Sequence, residues 1–118
     1  MPREEIARIV QSILTPDELS NCVAYLSEST ISTGRIVFPR IKINVPSQSY
    51  IAFVDRDTMA NWSHSSRYII VNSETAQTKS IEAEFPPFQT SHGIKWSLLY
   101  KGLKVPNDAV MNVDKNAD

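Results

Sequence analysis

The residue types best able to do chemistry or to anchor a partner are concentrated in residues 55–66, which read Asp55, Arg56, Asp57, Thr58, Met59, Ala60, Asn61, Trp62, Ser63, His64, Ser65 and Ser66. Apolar runs flank this segment: Tyr50, Ile51, Ala52, Phe53 and Val54 before it, and Tyr68, Ile69, Ile70 and Val71 after it. A tight hairpin between two strands needs only about two to five connecting residues, so this connection is long, and long connections in compact domains are often functional. Its composition suits a protein contact, with Trp62 as a buried anchor and Met59 as an adaptable apolar neighbour. Asp57, Asn61, His64 and Arg67 would supply the polar contacts that fix orientation. A second reading stays open beside this one, in which Trp62 folds back over the end of the sheet and the loop packs only on itself.

Other chemistries are weaker in the sequence. Asp55, Asp57 and His64 offer two carboxylates and an imidazole to a divalent ion, but acids in a turn more commonly bond the nearby backbone. Asp55, Arg56 and Asp57 after an apolar strand look like the acidic pair of nucleotide-sugar glycosyltransferases; the chain upstream is too short to hold the nucleotide-binding half that such an enzyme needs. Cys22 would need His64 or His92 beside it to act as a nucleophile, whereas it falls on an apolar stripe where a small buried thiol is the ordinary occupant. Serines flank His64, yet neighbours in sequence do not make a triad. The three glycines, Gly34, Gly93 and Gly102, are isolated, so no phosphate-cradling loop can be built and no cofactor is expected. A competing class of function is a small-molecule binder or modest enzyme with a pocket lined by Trp96, Tyr50 and Phe53, and with His64 or Asp55 as its polar group.

Composition narrows the partners. The 118 residues are 42% hydrophobic and 21% charged, the balance of a chain that folds around one core. The twelve Lys and Arg are scattered among thirteen acids, for a net charge of -1, so no basic stripe faces a phosphate backbone and nucleic acid is not an expected partner. No apolar run approaches the roughly 18 residues that cross a bilayer, so neither a membrane anchor nor a signal peptide is read. One cysteine excludes an internal disulfide, and cytoplasmic residence is the default expectation. An export signal removed ahead of Met1 would leave no trace in this reading.

Elements must position those residues. Ile6, Ile9, Val10, Ile13 and Leu14 follow helical spacing and predict a first helix over 2–14, with Glu4 and Glu5 at its positive end. Thr15, Pro16 and Glu18 predict a capping box that starts a second helix, expected to run to about Leu26 and to bury Leu19, Cys22, Val23 and Leu26. From Gly34 onward the period becomes two. Strands are expected over 35–38, 41–45, 50–55, 67–72, 78–85 and 94–100, with 67–72 and 78–85 forming a hairpin and Ile94, Trp96 and Leu98 sharing one face. The expected fold is α+β: two N-terminal helices packed on one face of a mostly antiparallel sheet of four to six strands. Residues 1–106 form the single domain, and the polar residues 107–118 form a flexible tail.

Residues 67–81 (Arg67, Tyr68, Ile69, Ile70, Val71, Asn72, Ser73, Glu74, Thr75, Ala76, Gln77 and on to Ile81) resemble the closing hairpin of PepSY-type domains of bacterial protease propeptides. There an aromatic-hydrophobic strand ends in Asn or Asp before a Thr-containing turn. The leading amphipathic helix is similar to the same cystatin-like architecture, a helix laid on an antiparallel sheet. Ala76 departs from the pattern, because that turn usually carries glycine. The resemblance implies an inhibitory or protein-binding module, with a protease or other enzyme as the partner.

Overall fold

A computed structural model describes residues 1–38, 41–56, 65–84, 86–87 and 94–110. Helix α1 (Arg3–Ser12) buries Ile6 and Val10 and carries Glu4 and Glu5 in its first turn, as its spacing predicts. Arg3 ties it to the sheet by donating to the carbonyls of Leu26 and Ser27 and to Ser97 Oγ at 2.6 Å. Helix α2 (Pro16–Asn21) starts with the expected capping box: Thr15 Oγ1 accepts from Glu18 N at 3.1 Å, and Thr15 N donates to Glu18 Oε1 at 2.8 Å.

Helix α2 then stops at Asn21, short of the expected Leu26. Cys22 is extended, with φ -93° and ψ 164°, and Val23–Ser27 is strand β1, buried at every position. Leu19, Cys22, Val23 and Leu26 do fit a helical period, but a short strand covered on both faces shows no alternation, so periodicity cannot separate the two. Partners on both edges decide it. Antiparallel neighbours satisfy the backbone of β1 and bury Val23, Ala24, Tyr25 and Leu26 together, which a helix with one covered face could not do.

Strands β2 (Gly34–Phe38) and β3 (Ile41–Val45) form a separate two-stranded sheet. Strands β4 (Ser49–Asp55), β5 (Ser66–Asn72), β6 (Thr78–Ala83) and β7 (Trp96–Lys101) join β1 in a five-stranded antiparallel sheet of order β6-β5-β4-β1-β7. The fold is therefore α+β around an antiparallel sheet, with the expected β5–β6 hairpin in place.

Each face of the sheet supports its own buried cluster. On one face Ile6, Val10 and Leu14 meet Ala52, Val54 and Ile69. On the other, Ile43 and Val45 of β3 meet Tyr25, Phe53, Tyr68 and Trp96. Strand β4 feeds both clusters by alternation, which is why its sequence reads as an almost unbroken apolar run. Burying each large apolar side chain here is worth about 1.5–3 kcal/mol. Among the described residues no helix is long and apolar enough to cross a membrane.

Strand β7 departs from simple alternation. Tyr25 faces Leu98 while Ala24 faces Tyr100, so the register slips by one residue at Leu99. This bulge turns Leu99 and Tyr100 together toward the α1 cluster, and Leu98, expected to share Trp96's cover, is 49% exposed. After the bulge the chain straps itself to α2: Gly102 N donates to Cys22 O at 2.7 Å, and Lys104 N donates to Ser20 O at 2.9 Å. A Cβ on Gly102 would lie 2.5 Å from Ser20 O, so only glycine permits this approach. Asn107–Ala109 forms one 3-10 turn, and Ala109 and Val110 pack against the Trp96 cluster. The remainder of the expected tail, 111–118, lies outside the described residues.

Candidate interaction loop and its ionic base

The long connection leaves β4 at Asp55 and re-enters β5 at Ser66, and these two residues face each other across the strands. One step further out, Arg56 N donates to Ser65 O at 3.1 Å, so the base of the loop is closed by the ladder itself. Of the residues read as partner contacts, Asp57, Met59, Asn61, Trp62 and His64 lie outside the described residues. Arg67 is described, and it is buried.

Arg67 belongs to a cluster of four charges. Its Nε donates to Glu18 Oε2 at 2.9 Å and its Nη2 to Glu18 Oε1 at 2.7 Å, a bidentate pair beneath the start of α2. The same guanidinium reaches Ile13 O at 3.1 Å and Ser80 Oγ at 3.2 Å. Arg56 lies beside it: Nε donates to Glu18 Oε2 at 2.9 Å, Nη1 to Ser65 Oγ at 3.1 Å, and both Nη atoms to Glu82, the shorter contact at 2.5 Å. One arginine thus links α2, both ends of the loop and the edge strand β6.

The register explains the convergence. Arg67 pairs with Val54 on one side and Glu82 on the other, so it shares a sheet face with Glu82, and this is the face that holds the α1 cluster. Glu18 is only 2% exposed. Burial alone would raise its pKa; the Thr15 N–H and the Arg56 and Arg67 guanidiniums outweigh that and hold the carboxyl below its usual range. Glu82, more exposed, is held low chiefly by its hydrogen bond to Arg56. Arg56 is in turn pushed further up by Glu82, against some burial, with Glu18 adding to the effect. A buried carboxylate with two guanidiniums is costly to break from one side, because the remaining charge is left uncompensated.

The competing chemistries find these positions. Cys22 is fully buried, and burial, followed by the negative charges of Glu18 and Asp55, pushes its thiol up to about 12, which leaves almost no thiolate near neutral pH. Asp55 is 2% exposed at an inward-facing strand position. Among the described residues no group of three or more His, Cys, Asp or Glu is placed to hold a metal ion. Tyr50 packs with the α1 cluster, whereas Phe53 and Trp96 belong to the opposite cluster, so the sheet itself separates them. Ser66 Oγ is buried beside the loop base without a hydrogen-bond partner among the described residues.

Sequence reasoning gave Glu18 a capping role and gave Arg67 to a partner; it did not join them. The one local signal was a cation at an otherwise apolar strand's start, a position where the alternation points inward. Glu82 and Arg56 carried no signal, since their pairing spans 26 residues. No family model matches this chain, and no curated protein or solved structure matches it either.

Proposed function

We propose that the chain is a small non-enzymatic protein-binding module, of the inhibitor or immunity kind, that contacts another protein through the loop at 55–66. The observation that carries this reading is the Arg56 bridge. A loop tied at both ends to one guanidinium, and through it to a buried Glu18, is anchored before any partner arrives, which lowers the ordering cost of binding. Trp62 is the anchor in this reading, with Met59 beside it and Asp57, Asn61 and His64 at the rim. Arg67 serves the same surface from below, by fixing Glu18.

The two helices are taken as the layer that covers one sheet face; Ile6, Val10 and Leu14 in one cluster with Ala52 and Val54, with Leu19 packed against it, support this. The likeness to PepSY and cystatin-like inhibitory domains belongs to the same proposal, as does cytoplasmic residence. Its support is Ala76, whose φ of 65° is the left-handed backbone that a glycine would supply at that turn. The test is capture of a stoichiometric partner from host lysate by the tagged chain and by Trp62→Ala, after both are shown to melt cooperatively. Loss of the partner with an unchanged melt supports the reading. Unchanged capture and unchanged stability would refute it.

A further inference from the structure

At the end of the sheet remote from the loop, an open cleft of about 210 Å³ lies between the turn into β4 and the β5–β6 hairpin. Its lining includes the apolar Pro46 and Ile70 and the polar Ser47, Gln77, Thr78 and Lys79. Lys79 faces Ile70 across the β5–β6 register, so the ammonium-bearing stem and the apolar floor share one sheet face. Among the described residues no acid lines the cleft, and none gives the Lys79 ammonium a hydrogen bond or an ion pair. The cleft therefore presents a positive charge that no described acid neutralises, beside an apolar floor.

The hydroxyls complete the picture. Ser47 Oγ accepts from Asn72 Nδ2 at 2.7 Å, which fixes the hydroxyl and leaves its own proton to donate. Asn72 is in turn held by the hairpin, its Oδ1 accepting from Glu74 N at 2.8 Å and Thr75 N at 3.0 Å. The volume falls below the roughly 300–1,000 Å³ of sites that hold drug-sized ligands and cofactors, so the occupant must be small. A single cation with hydroxyl donors above an apolar floor selects a short aliphatic chain ending in a negative charge.

We infer that this cleft is a binding site for a small aliphatic carboxylate, with Lys79 and Ser47 on the carboxylate and Ile70 and Pro46 under the chain. The site is independent of the loop and goes beyond the protein-binding reading. The experiment is an amide NMR titration of the full chain with 3-methylbutanoate, with the uncharged 3-methylbutan-1-ol as the second probe and Lys79→Met as the variant. The expected result is saturable shifts at Ser47, Ile70, Thr78 and Lys79 with a Kd on the order of 1 mM. Both the alcohol and the Lys79→Met protein should bind at least about tenfold more weakly, because each removes one half of the charge-assisted contact. Absence of saturable shifts overturns the inference, and so does equal binding of the alcohol to the wild-type chain, a comparison that does not depend on the variant's folding.

Discussion

The two ends of the five-stranded sheet are held by different physics. At the loop end four charged side chains from α2, β5, β6 and the start of the loop converge, and the carboxylate at their centre is almost fully buried. At the opposite end the turns are closed by uncharged polar contacts: Asn72 bonds the turn that follows it, Ser73 N donates to Gln48 O, and Gln48 donates to Thr30. Long-range ion pairing is strong only while every member is present, and it couples distant segments. Hydrogen bonds between uncharged groups are individually modest, and losing one leaves no buried charge behind. The loop end should therefore respond to single substitutions as a unit, and the hairpin end should not.

Removing the centre of the charge cluster is the severest test of that difference. Glu18→Ala takes away the side-chain half of the capping box and leaves Arg67 buried with no carboxylate, and it should cost about 3–5 kcal/mol in urea unfolding. Gly102→Ala should cost about 1–3 kcal/mol at the same end, since its new methyl must displace the backbone of α2.

Acid should act on the loop end first. Glu18 and Glu82 both have carboxyl pKa values lowered in the folded chain, so near pH 4 the unfolded chain binds more protons. Their stabilisation is complete above the ordinary carboxylate value of about 4.3 and is lost as pH falls through the lower folded-state values. Melting temperature followed from neutral pH downward should hold until about pH 5 and then drop, with the drop reduced in Glu82→Gln. At neutral pH Glu82→Gln itself should cost below about 1 kcal/mol, because the Glu82 side chain is 70% exposed. The smallest effect belongs to the hairpin end and has the opposite sign. Ala76→Gly relieves a left-handed backbone at φ 65° and should raise stability by about 0.5 kcal/mol, the strain relieved less the extra entropy of an unfolded glycine.

The same contrast marks what could be read from the sequence. Local signals translated directly: the Thr15 and Glu18 capping box, the stripe of α1, and the β5–β6 hairpin all depend on residues a few positions apart. Strand β1 did not, because Val23 to Leu26 can satisfy a helical period and only the flanking strands β4 and β7 decide otherwise. The charge cluster was hidden for the same reason, since Glu18 and Arg67 lie 49 positions apart and meet only after the sheet has formed. Of the candidate site, residue types and loop length were legible, while the ionic base beneath the loop required the register of three strands.

Hydrogen exchange on Arg56→Met tests the central claim, that one arginine braces the loop end as a unit. Arg67 still neutralises Glu18 in this variant, so the chain should remain folded. The account predicts faster exchange at the amides of position 56, Arg67 and Ala83, which the ladder protects, with those of Ser49, Asn72 and Ala76 unchanged. Equal acceleration at both ends, or no acceleration at the loop end, would contradict it.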